Sequence, residues 1–166
     1  MADRSVHYEA AFEGFLRDRK IPYVAVDEAK KALFADAKLK SFDFVVYSKF
    51  ASNLILDIKG RKHTGKSPNA LQNWVTQEDI DSLQSWQTIF GSNYQPIFAF
   101  VMWCQAPPPD MLFHEMFEFS GKWYALLAVR LADYQKHMRP RSAKWDTVHV
   151  PAKDFRNIIH PLSKLL

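Results

Sequence analysis

The chain has 166 residues, 48% of them apolar and 24% charged, with a formal net charge of +4. That length and composition suit one globular domain with an ample core and exclude a disordered or fibrous class. No run approaches the roughly 20 apolar residues of a membrane span, and the opening Met-Ala-Asp-Arg-Ser lacks the apolar stretch of a secretory signal. The lone Cys104 has no partner in the chain, so the reading is a reduced, cytoplasmic setting.

In chain order, Tyr8, Ala11, Phe12, Phe15 and Leu16 recur at helical spacing, with Ser5 as a plausible N-cap and Pro22 as the stop. Residues 22–26 read as a short strand and the Lys-rich stretch 27–40 as helix or loop. Two β-type apolar runs follow, 42–47 and 54–58, and the short polar segment between them predicts a hairpin. Thr76-Gln-Glu-Asp79 fits a capping box. Ile80, Leu83, Trp86 and Phe90 form the inward stripe of that helix, and Gly91 ends it. The apolar run 96–103 predicts a buried central strand. Pro107-Pro108-Pro109 is a stiff connector. Segments 113–119 and 123–129 form a second hairpin across Ser120-Gly121, 147–150 a last strand, and 151–159 a closing helix. The expected domain is therefore one α/β unit, with a core over 6–103 and an α+β extension over 107–166 packed on it.

Chemistry concentrates at the first hairpin. Asp/Glu-x-Lys occurs at Asp18, Glu28, Asp36 and Asp57, but only Asp57-Ile58-Lys59 ends an apolar strand. Strand side chains alternate, so Asp57 and Lys59 share a face. A turn around Phe50 pairs Val45 with Ile55 and brings Asp43 opposite Asp57, with Cβ atoms about 5 Å apart. Two carboxylates so placed repel unless a proton or cation lies between them, and a hard ion such as Mg²⁺ suits carboxylate oxygens. Glu9 flanks the apolar stripe of the first helix and supplies a third acid at the helix–sheet seam. Glu13 is the second choice, and His7 lies close by. Two basic clusters accompany these acids: Lys59, Arg61, Lys62, His63 and Lys66, then Arg139, Arg141 and Lys144. Local clusters of this kind suit phosphate contacts, and equally a solvated surface.

An acid in the first helix, an Asp on one strand and Asp-x-Lys ending the next resemble the PD-(D/E)xK nuclease superfamily, in particular its Holliday junction resolvase branch. Leu16 seven residues after Glu9 and the tail Lys59-Gly-Arg61-Lys62 belong to the same resemblance, which covers residues 6–103. Phe42 stands where that pattern often has Pro. The string His7-Tyr-Glu-Ala-Ala-Phe-Glu13 also resembles the bacterial HYExAFE family. The superfamily resemblance implies a restriction-endonuclease-like mixed sheet flanked by helices and a DNA phosphodiester hydrolase acting at branched or damaged structures. It implies Mg²⁺, with Mn²⁺ as substitute, held by Asp43, Asp57, the Ile58 carbonyl and Glu9, with Lys59 acting on the water or the transition state. The expected partner is DNA, with a homodimer as the assembly to test and no membrane. A rival signal is the Walker-A-like string 60–67, ending Gly65-Lys66-Ser67, which would cradle a nucleotide phosphate. A third reading is a nucleic-acid binder that keeps the fold and does not cut.

Overall fold

The computed structural model describes residues 6–26, 39–65, 71–105 and 115–166. Ser5, most of the 27–40 stretch, Lys66 and Ser67, the proline connector and Phe113 lie outside the described residues. Helix α1 (Val6–Asp18) is followed by strands β1 (Tyr23–Ala25), β2 (Phe44–Val46) and β3 (Asn53–His63). Then come β4 (Val75–Thr76), α2 (Gln77–Phe90) and β5 (Tyr94–Cys104). The hairpin β6 (Met116–Phe119) and β7 (Lys122–Arg130) leads to α3 (Leu131–His137), β8 (Arg139–Ser142) and β9 (Thr147–His149). Helix α4 (Ala152–Ile158), β10 (Ile159–His160) and a 3-10 turn, Leu162–Lys164, close the chain.

One mixed sheet organises the molecule, in the order β1-β2-β3-β5-β7-β10, with β6 also paired to β7. Strands β1 to β3 are antiparallel, β3 and β5 run parallel over the whole length of both, and β7 returns antiparallel to β5. The capping box at Thr76 and Asp79 starts α2, the crossover between the two parallel strands. Ser120 and Gly121 both take positive φ, 50° and 74°, the conformation that the tight β6–β7 turn requires.

Alternation along the strands sorts two cores. Even-numbered residues of β3, such as Leu54 and Leu56, pack with Phe12, Phe15 and Leu16 of α1. Ile55 on the other face packs with Ile80 and Leu83 of α2, Tyr134 of α3 and Phe155 of α4. This is the restriction-endonuclease-like mixed α/β arrangement expected from the sequence. The expected Val45–Ile55 pairing is present.

Several expectations need correction. Strand β3 does not stop at Ile58 but continues to His63. Gly60 and the three residues after it therefore pair with β5 and form no phosphate loop. The run at 147–149 does not extend the main sheet; it joins β4 and β8 in a small second sheet. Phe90 lies at the edge of its helix's core face, 37% exposed, with its ring against Phe42, Trp86 and Tyr94.

Candidate active site

Strand β2 leaves β3 at Asp43, and the manner of its leaving builds the site. The Asp43 backbone is held on both sides: its N–H donates to the Leu56 carbonyl at 2.9 Å and its carbonyl accepts from Val26 N–H at 2.9 Å. The next β3 donor on that edge, Ile58 N–H, meets the Asp43 side chain at Oδ2, 2.6 Å away. A carboxyl thus substitutes for the peptide carbonyl that would have continued the ladder. The same carboxyl lies against Asp57, with which it shares a hydrogen bond.

Both acids are withdrawn from water, Asp57 being 9% exposed. Burial, then the negative charge of Asp57, push the Asp43 carboxyl up to about 8; the Ile58 N–H opposes this and Glu9 adds to it. Asp57 is also raised, by burial, against the pull of the Lys59 ammonium. Burial and the repulsion between the two carboxyls thus favour a proton held on the pair.

Lys59 lies beside Asp57, Nζ to Oδ2 at 2.9 Å, and reaches Asp79 Oδ2 at 3.0 Å. Asp79 also takes the Lys40 ammonium on Oδ1 at 2.5 Å. The result is a row of alternating charge: Asp57, Lys59, Asp79, Lys40. Burial alone would raise the Asp79 carboxyl, but Lys59, Lys40 and the Thr76 N–H overcome it and hold it at about 2. Neither Asp79 nor Lys40 was singled out from the sequence. A signal existed for Asp79: a carboxylate at N3 of a capping box has a second oxygen to spare. Lys40 gave none. It is placed by Ser82 Oγ, which accepts its N–H, and by Trp86 Nε1, which donates to its carbonyl.

Helix α1 brings Glu9 near enough for its charge to raise Asp43. The seat of α1 is set by Gly60: a Cβ there would lie 2.2 Å from the Tyr8 ring, so the helix packs directly on strand backbone. Glu13 is elsewhere, accepting from Tyr23 Oη at 2.7 Å and from Arg17 at 3.0 Å. Tyr23 pairs with Val46, whereas Asp43 lies beside Val26 at the opposite end of β1. His7 Nδ1 is 3.0 Å from the Tyr124 hydroxyl. Burial and Lys122 lower its pKa.

The basic residues divide. Arg61 is pinned by its donations to the Gly60 and Trp74 carbonyls, while Lys62 is exposed. His63 is 3% exposed and does not present itself to a ligand; the strand continues, and its odd-numbered residues turn into the α2 side. Arg141 lies over the Trp74 ring, Lys144 over Trp145, and Arg139 is exposed on β8.

Among the described residues, no three carboxylate, histidine or thiol groups gather closely enough to enclose a metal ion by themselves. The donor set still fits Mg²⁺, which keeps several waters and takes one or two carboxylates. Asp43 and Asp57 offer two facing carboxyls that stand together only with a positive centre between them.

No family model matches the chain, and no curated protein matches its sequence. Among solved structures, Hjc, a Holliday junction resolvase from the archaeal hyperthermophile Archaeoglobus fulgidus, is similar in fold. The TM-score is 0.58 at 9% identity, over 96% of this chain and 98% of that one. The likeness is therefore one of fold, spanning both chains nearly end to end. No helix among the described residues is long and apolar enough to cross a membrane.

Proposed function

We propose that this chain is a metal-dependent nuclease of the PD-(D/E)xK type, hydrolysing DNA phosphodiester bonds at branched or damaged structures. The observation that carries the reading is the buried Asp43–Asp57 pair at the point where two strands part, with Lys59 on the same strand. Such a pair costs folding energy unless neutralised. A site that retains it gains a strong affinity for a divalent cation in exchange.

In this reading Asp43, Asp57 and the Ile58 carbonyl would hold Mg²⁺, with Mn²⁺ as a substitute, and Glu9 would join them directly or through water. When bound, the ion polarises the phosphate and acidifies a water molecule. To hold the ion both acids would have to be ionised, any proton on the pair passing to solvent. Lys59 turns its ammonium from Asp57 toward the developing phosphate charge, where a fixed cation in a partly dry site is most effective. Asp79 acts as a positioning residue, keeping Lys59 from swinging into solvent. The fold likeness to a resolvase supports DNA as substrate. A twofold assembly is the arrangement to test by sedimentation.

The test is nicking of linear, flapped and four-way DNA with Mg²⁺ or Mn²⁺, with Asp57→Ala as control. Cleavage that needs the ion and falls on the order of a thousandfold in the variant is expected. Cleavage unaffected by Asp57→Ala, or none in any metal, defeats the enzyme reading; DNA retained in a gel without cutting would assign the chain as a binder.

A further inference from the structure

Beyond Lys59, β3 borders a cleft that the chemistry above does not use. It has a volume of about 470 Å³ and is lined by Tyr8, Gly60, Arg61, Lys62, Trp74 and Trp103, with His7 and Gln72 at its margins. That is the size of a small-ligand site, and among the described residues no carboxylate lines it.

Its two indoles come from distant parts of the chain, Trp103 on β5 and Trp74 just before β4, and both are only half-buried. Both attract cations. Lys62 and Lys122 stand over the Trp103 ring at 5.3 and 4.7 Å. Arg61 and Arg141 stand over Trp74 at 4.4 and 5.3 Å. Arg61 and Lys62 line the cleft, and Lys122 and Arg141 stand over its two indoles; with no carboxylate among the described lining residues, this is a seat for an anion. Arg61 is half-buried, and its Nε, sealed from water, has no hydrogen-bond partner among the described residues. A buried donor left over in this way is costly unless a ligand takes it.

Aromatic faces with cations beside them are the means by which proteins hold nucleotides of a single strand, the base stacking and the phosphate meeting the cations. In a duplex the base faces are covered by their neighbours, so only an unpaired base has a face to offer. The cleft also lies at the right place. Arg61 follows Lys59 by two residues, about 7 Å along the strand, and Asp57 by four, about 13 Å, the reach of one or two nucleotides.

We infer that the cleft between Trp74 and Trp103 seats an unpaired nucleotide of the DNA strand whose adjoining phosphate lies at Asp43 and Asp57. The inference rests on the nuclease reading and narrows its substrate class to DNA with an unpaired nucleotide beside the cut. Lys62 and Lys122, both exposed, leave the Trp103 face to meet the flanking phosphates as the base enters. Arg61 stays fixed.

The experiment uses the intact chain in Ca²⁺, with two DNAs that differ by a one-nucleotide bulge carrying 2-aminopurine. The bulged DNA is expected to bind about tenfold more tightly than the paired one, as base–aromatic stacking gives. Its fluorescence is expected to be quenched on binding. Trp74→Leu and Trp103→Leu should each remove the preference, and the fluorescence change in the unaltered chain does not depend on either variant folding. Equal affinities, or a bulged base that stays bright when bound, overturn the inference. If Mg²⁺-dependent cutting proceeds alongside that result, the nuclease reading survives alone. If preference and quenching are found without any cutting, the seat stands and the nuclease reading falls.

Discussion

Residues 53–56 and 57–63 belong to one continuous strand, yet their surroundings differ in kind. Leu54, Ile55 and Leu56 are wholly buried, with β2 on one edge and β5 on the other. From Asp57 onward β5 remains, but β2 has gone, and charged residues occupy alternate positions. The first half is held by apolar packing on both faces. The second is held by a ladder on one edge and by paired charges. The lesson is that a strand can be made rigid by its first half and chemically useful in its second, because the ladder with β5 carries the geometry across.

Substitution of neighbours should expose this difference most sharply. Leu56→Ala removes a fully buried side chain and is expected to cost about 3 kcal/mol, lowering the thermal midpoint by roughly 10 °C. Asp57→Asn, the next residue, removes a repelling charge and should leave unfolding within about 1 kcal/mol of the parent, or raise it. Calorimetry of both variants decides the matter. A collapse of Asp57→Asn comparable to that of Leu56→Ala would make the second half as structural as the first.

Acidity sharpens the same contrast. The folded chain keeps the Asp43 proton up to about pH 8, whereas an unfolded carboxyl releases it near about 4. Folding therefore takes up a proton between those limits. The Asp43 contribution to metal-free stability is fully present below about pH 4, falls as pH rises toward 8, and is level above. Asp79, lowered to about 2, acts in the opposite sense, but only on the acid side of the usual carboxylate value. Urea midpoints at pH 5, 7 and 9 in EDTA should fall in that order. Asp43→Asn should flatten the trend, and Mg²⁺ should restore the loss at pH 9. Gly60→Ala is the smaller probe. Forced into the Tyr8 ring, the methyl should cost about 2 kcal/mol in a chemical denaturation curve and displace α1, and with it Glu9, from the second half of β3.

Much of this was legible in the residues. The apolar runs at 42–47 and 54–58 set the register because one slip would turn Ile55 from one core to the other. Thr76 and Asp79 announced the helix start. The length of β3 was not legible: Gly60-Arg61-Lys62-His63 has the composition of a mobile basic loop, and only the pairing with β5 across the chain makes it strand. Of the small sheet only β9, expected at 147–150, was read; β4 and β8 were missed for a related reason, since two to four residues carry too little periodicity to read. Within the site, the acids and Lys59 stood out because an apolar strand gives a charge meaning. Asp79 did not, because its capping role already accounted for it, and Lys40 looked like solvated surface.

That double employment of Asp79 ties two processes together. The side chain that closes the first turn of α2 also anchors Lys59, so when that turn frays the ammonium keeps only Asp57 as its ion-pair partner. Helix ends ordinarily open and close far more readily than the body of a protein. Here such breathing would take one of its two carboxylate partners from Lys59, and amide exchange at the start of α2 should slow in step with anything that grips Lys59.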